Sequence, residues 1–161
     1  MLTAPTLDNL TLDVSDQVHV RASLEATFDS IVSHIGRLNE TPDGKPFPMV
    51  LEAWPGGRWY RDLGGNNGHL WGHVQAIKKP TLLEIYGPLF MSYPAMSNVQ
   101  YRLTEIEGGT LIAFRHTAFG FISDDHRKGV GTGWKSILAR IQLPCSPVRV
   151  TPESSQRNAE R

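Results

Sequence analysis

Between residues 49 and 120 the chain is cut into short alternating segments by small-residue turns. The turns read Pro55-Gly56-Gly57, then "GGNNG" at 64–68, "KKP" at 78–80 and "EGG" at 107–109. The pieces between them, such as "RWYRDL", "HLWGHVQAI", "TLLEIYG", "NVQYRLTEI" and "TLIAFRHTAF", have strand length. Turns this short join antiparallel neighbours, so the segments predict a meander of about six strands.

Helical patterns flank the meander. "QVHVRAS" alternates, with Val18 and Val20 on one face, and predicts a first strand. Ser23 is a good N-cap for the segment after it, in which Leu24, Phe28, Ile31 and Ile35 recur at helical spacing before Gly36. "RLNETPDGKPFP" carries three prolines and little periodicity. It reads as a loop, long enough for a lid or a short helical turn. At the far end Val130, Trp134, Ile137, Leu138 and Ile141 line one helical face. Ser123 can cap that helix, Asp124 and Asp125 suit the positive end of its dipole, and Pro144 ends it. Residues 1–10 are expected as a flexible arm, 11–143 as the folded domain and 144–161 as a disordered polar tail.

Gly129, Gly131 and Gly133 stand close to Lys135 and Ser136, which raises the question of a phosphate-binding loop. In such a loop the lysine follows the last glycine directly. Here Trp134 intervenes and turns the lysine about 100° around a helix. The glycines are read instead as room for a sheet or loop to approach the helix.

Sixteen basic residues balance sixteen acidic ones, so no overall field draws in nucleic acid or an anionic membrane. No stretch approaches the ~18 apolar residues of a membrane span. The start of the chain has no secretion-signal pattern. The single cysteine, Cys145, allows no disulfide within the chain. A cytoplasmic location is the expectation.

The stretch "PGGRWYRDLGGNNGHLWGHVQAIKKPTLLEIYGP", followed by "GGTLIAFRHTAFG" and "GWKSILARI", resembles the START-like (SRPBCC) superfamily. Within it the sequence is most similar to bacterial relatives of the C-terminal domain of the heat-shock chaperone ATPase activator. The resemblance runs over about residues 15 to 142. It implies an α+β helix-grip fold, as in the birch pollen allergen: a curved antiparallel sheet wrapped around a long C-terminal helix, with one or two short helices after the first strand. It also implies a cavity between sheet and helix that takes hydrophobic or amphipathic ligands. The loop at 40 to 48 is longer than the resemblance leads one to expect, and Pro144 cuts the last helix short.

Alternation supplies an inward set without the resemblance. It comprises Val99, Tyr101 and Leu103 on one strand, Ile112, Phe114 and His116 on the next, and Leu83 with Ile85 on a third. Phe28 and Ile31 face them from the first helix, Trp134 and Leu138 from the last. Trp59, Tyr60, Phe90 and Phe119 are placed near rims or a portal. For "HLWGHV" the two faces stay unassigned. The expected ligand contacts are Phe28, Ile31, Trp59, Phe90, Tyr101, Phe114, His116, Trp134 and Leu138. Tyr101 and His116 would need hydrogen-bond partners when buried.

Little else points to chemistry. His69 and His73 lie ~13 Å apart on a strand, too far to share a metal ion. Cys145 has no CxxC partner, and no G-x-S-x-G occurs. Glu52, Arg58, Arg61 and Asp62 read as a solvated strand edge, and Asp124, Asp125 and His126 as helix capping. His116 is the one weak candidate for acid–base catalysis. No cofactor or metal is expected. The readings left open are a small hydrophobic molecule bound in the cavity, a polyketide-cyclase- or hydrolase-like enzyme in the same cavity, and a chaperone-activator-like module. The third is disfavoured because the activator carries a further N-terminal domain. Homodimer formation stays open, since sheet edges need covering.

Overall fold

A computed structural model describes residues 6–142. The order of elements is α1 (Leu7–Leu10), β1 (Thr11–Val20), α2 (Leu24–Ile35), β2 (Val50–Leu51), β3 (Arg58–Gly64), β4 (Asn67–Lys78), β5 (Leu82–Gly87), β6 (Ala95–Ile106), β7 (Gly109–Gly120) and α3 (Asp124–Ile141). All strands join one antiparallel sheet in the order β1-β7-β6-β5-β4-β3-β2. The sheet and its terminal helix make the helix-grip fold.

The long strands follow from their alternation. Val99, Tyr101 and Leu103 on β6 sit across from His116, Phe114 and Ile112 on β7, and all six are buried. Leu83 and Ile85 on β5 continue this face. Phe28, Ile31 and Ile35 of α2 and Val130, Trp134, Leu138 and Ile141 of α3 close over it, each set at i, i+3 or i+4 spacing. Ser23 accepts from the Ala26 N–H and Ser123 from the His126 N–H, so both helices start at their caps.

Several expectations change. β1 begins at Thr11, six residues earlier than the clearest alternation, because β7 offers it partners from Thr110 to Phe119. Leu7–Leu10 forms a helical turn just before it, and the Arg127 guanidinium holds the carbonyls of Asn9 and Thr11. β2 keeps only two residues, since the chain turns at Trp54, whose N–H bonds the Glu52 carbonyl. The 37–48 loop forms neither a helical turn nor an extended flap. It doubles back through a bridge between Glu40 and Pro46. Trp59 does not sit at a rim: it is 1% exposed, and its indole N–H donates to the Ile35 carbonyl at 2.8 Å, tying β3 to the end of α2. Phe119 is 58% exposed on the outer face, beside Met96 of β6. α3 is regular from Asp124 to Ile141 despite its three glycines. Pro144, Cys145 and the expected tail lie outside the described residues. No helix among the described residues is long and apolar enough to cross a membrane.

Candidate functional site

Trp134 is the point where α3 meets the sheet. Its ring packs on Phe114 at 4.8 Å between centroids and on His116 at 5.6 Å. Its indole N–H donates to His116 Nδ1 at 2.9 Å, and His116 Nε2 lies 2.9 Å from the Ser97 hydroxyl. An indole N–H can only donate, so Nδ1 is the acceptor and the neutral ring carries its proton on Nε2, toward Ser97. Burial pushes His116 down to about 4. Tyr101, its ring tilted against Phe114 at 5.1 Å between centroids, behaves differently: its hydroxyl has no partner among the described residues, and burial pushes its ionisation up.

Trp134 also borders a cavity of about 300 Å³ between α3, β4 and the 39–47 loop. Phe47, Trp71 and Phe90 form a continuous aromatic wall, with centroids 5.9 Å apart from Phe47 to Trp71 and 5.8 Å from Trp71 to Phe90. The wall continues to His126, whose ring meets Phe90 edge-on at 5.3 Å. Tyr93 backs His126, stacked at 5.3 Å, with its hydroxyl 2.6 Å from Nδ1. The hollow between β1, β6 and β7 is larger, about 620 Å³, but lies on the outer face among Asp16, Gln17, Gln100, Arg102 and Arg115. An apolar concavity with a few polar groups is the usual form of a small-molecule site.

Two local departures from regular structure shape this cavity. The first is a register shift in the β3–β4 pair: Trp59 faces Gly72 and Tyr60 faces Leu70, leaving Trp71 unpaired between them. The bulge breaks the alternation of "HLWGHV" and turns Trp71 toward the cavity while Gly72 stays buried. The second is the glycine spacing of α3. Gly129 and Gly133 are four apart, so they share a face, and both border the cavity. A Cβ at Gly129, Gly131 or Gly133 would meet no atom within 4 Å. The glycines therefore make no room for the sheet or a loop, as their spacing had suggested; two of them make room for the cavity.

The loop side is tied down. Phe47 N–H donates to the Asn39 carbonyl at 2.8 Å, and Asn39 Nδ2 returns a bond to the Phe47 carbonyl at 3.0 Å. Arg140, near the end of α3, donates to the Glu40 carbonyl at 3.0 Å. Asn39 Oδ1 is buried without a partner among the described residues, and Asn39 borders the cavity.

Of the nine residues expected at a ligand, Phe90 and Trp134 border this cavity. Phe28, Ile31, Trp59, Tyr101, Phe114, His116 and Leu138 lie in the packed core instead. His116 has both nitrogens engaged inside the protein. The bordering residues that sequence reasoning did not place at a ligand include Asn39, Phe47, Trp71, His126, Gly129 and Gly133. The unusual length of the 40–48 stretch, the broken alternation around Trp71 and the costly helix glycines were the signals that could have found them.

The family model described as Activator of Hsp90 ATPase homolog 1-like protein matches residues 44–143. Among curated proteins, none matches the sequence. Among solved structures, protein MLL2253 from Mesorhizobium loti aligns with a TM-score of 0.59 at 18% identity, covering 81% of this chain and 93% of that one. Ara h 8.0201 aligns at 0.59 and 16% identity, covering 82% and 95%. The di-domain ARO/CYC StfQ from the steffimycin biosynthetic pathway aligns at 0.60 and 11% identity, over 84% of this chain and 51% of that one. At such identities these likenesses show a shared fold.

Proposed function

We propose, for a chain that belongs to the Activator of Hsp90 ATPase homolog 1-like family, that it binds a small hydrophobic or amphipathic molecule in the cavity between α3, Trp71 and the 39–47 loop. The observation that carries this reading is the bare face of α3 at Gly129 and Gly133. Glycine inside a helix costs ~1 kcal/mol relative to alanine. Here that cost meets no packing need within the protein, since a Cβ would touch nothing. A ligand lying against the helix backbone supplies the need. Aromatic side chains on the opposite wall add broad apolar contact.

A cyclase- or hydrolase-like reaction through His116 gains no support from this geometry. Trp134 and Ser97 occupy both of its nitrogens, and the ring has no exposure to solvent. A chaperone partner forms no part of the reading, which rests on the cavity. A cytoplasmic location belongs to the same proposal.

The test is native mass spectrometry of the protein purified gently from cells, beside the Gly133→Leu variant. The leucine side chain would project into the cavity from a helical site with no steric conflict at Cβ. A co-purified small molecule on the wild type and none on the variant is the expected result. Equal loading of the two proteins, or a wild type that carries nothing and shows no thermal shift with any apolar compound, would remove the reading.

A further inference from the structure

We propose that His126 is the hydrogen-bond donor of this cavity, and that the molecule bound there is flat, aromatic and uncharged, with a carbonyl-type oxygen facing Nε2. This rests on the binding reading above and specifies it.

The capping role of His126 falls to its backbone: its N–H is the group that Ser123 accepts. The imidazole is left for another purpose. It borders the cavity and touches Phe90 on one side and Tyr93 on the other. Among the described residues, the only hydrogen bond of the Tyr93 hydroxyl joins it to His126 Nδ1, at 2.6 Å. If the phenol donates, Nδ1 accepts and the ring proton sits on Nε2. If the ring is an imidazolium, Nδ1 donates to the phenol oxygen and Nε2 again carries a proton. Only the reverse neutral tautomer makes Nε2 an acceptor, and it leaves the proton of the half-buried Tyr93 hydroxyl without a partner among the described residues. The pair therefore presents an N–H, and Nε2 has no partner among the described residues. A ligand acceptor completes it.

Charge and shape narrow the class. Glu40 and Asp125 both border the cavity, and among the described residues no lysine or arginine lines it; Arg140, 3.9 Å from the Glu40 carboxylate, and Arg61, over the Phe47 ring, are engaged outside the lining. A carboxylate ligand would find no free cation in that lining and would meet the Asp125 carboxylate, whereas a carbonyl oxygen accepts the same hydrogen bond without a net charge. The rings of Phe47, Trp71 and Phe90 stand on one side and bare helix backbone at Gly129 and Gly133 on the other. A flat ring system contacts both at once, and stacking or edge contact with the rings is favourable.

Three probes of one size separate the outcomes: 2-acetylnaphthalene, 2-isopropylnaphthalene and 2-naphthoate, each titrated by calorimetry into the full chain. The acetyl compound is expected to bind about fivefold more tightly than the isopropyl one, the worth of one hydrogen bond, with naphthoate weakest. In His126→Leu the acetyl and isopropyl compounds should bind alike. His126→Gln, which keeps an N–H donor, should retain part of the preference, and serves if the leucine variant does not fold. Tyr93→Phe should narrow it by freeing the tautomer. A wild type without preference, a preference that survives in His126→Leu, or naphthoate as the tightest probe overturns this assignment while leaving the cavity reading intact. If no probe binds the wild type, the flat aromatic class is overturned; if Gly133→Leu binds all three as well as the wild type does, the cavity reading itself fails.

Discussion

The indole N–H of Trp134 donates to Nδ1 of His116 at 2.9 Å, fastening α3 to β7 through a fully buried imidazole. The bond requires a ring nitrogen with a free lone pair, so it exists only while His116 is neutral. Desolvation depresses the folded-state pKa from 6.5 to about 4. Between these values the unfolded chain binds the proton and the folded chain does not. The stabilisation is therefore complete above about pH 6.5 and is lost as the pH falls toward 4, by about 3 kcal/mol in all. Urea unfolding from pH 7.5 to 4 should show this slope, and His116→Leu should show a shallower one. Equal slopes in the two proteins would mean that another group governs acid stability.

Tyr101 presents the opposite case, a polar atom in the same core without a partner among the described residues. A buried hydroxyl that makes no hydrogen bond costs ~1–3 kcal/mol. Tyr101→Phe removes the hydroxyl and keeps the ring against Phe114. The variant should be as stable as the wild type or more stable by up to ~1 kcal/mol. A clear loss of stability on chemical denaturation would show that the hydroxyl bonds an internal water.

The core and the cavity were not equally legible in the sequence. A core face repeats, every second residue on β6 and β7 and every third or fourth on α2 and α3. Val99, Tyr101, Ile112, Phe114 and Trp134 could therefore be placed by spacing alone. The cavity is built where repetition stops. Trp71 reaches it through a bulge, and two residues on one strand facing one on the next cannot be read from either strand by itself. Phe47 and Asn39 reach it through a loop closed by their reciprocal backbone and side-chain bonds. Sequence reasoning thus took Tyr101 and Phe114, at regular strand positions, for ligand contacts, and both pack in the core. His126 was hidden for another reason: a histidine in the first turn of a helix has an adequate explanation in capping, and only its approach to Tyr93, 33 residues earlier in the chain, shows otherwise.

The close approach of β4 to β5 beside the bulge can be tested at Gly72. A Cβ there would lie 2.4 Å from the Tyr86 carbonyl oxygen, a backbone atom fixed by the β4–β5 pairing. Gly72→Ala must shift one strand against the other, at a cost of ~1–3 kcal/mol. Because Trp71 adjoins the clash, the cavity wall should move with it. Denaturation should report the lost stability, and near-ultraviolet circular dichroism a changed indole environment. A variant as stable as the wild type, with an unchanged spectrum, would mean that the strands do not approach this closely.

The glycines of α3 allow stability and binding to be set against each other. Alanine at Gly129, Gly131 or Gly133 meets no atom within 4 Å, so each substitution should stabilise the helix, by up to ~1 kcal/mol. Gly129 and Gly133 border the cavity and Gly131 does not. Gly131→Ala should therefore raise the melting temperature and leave probe affinity unchanged. Gly129→Ala and Gly133→Ala should raise the melting temperature by a similar amount and weaken binding of a flat aromatic probe, the double variant most. Opposite signs for stability and affinity at 129 and 133, with stability alone changed at 131, is the pattern expected of glycines kept for a ligand. If all three variants gain stability and bind the probe like the wild type, the bare face of α3 serves something other than the cavity.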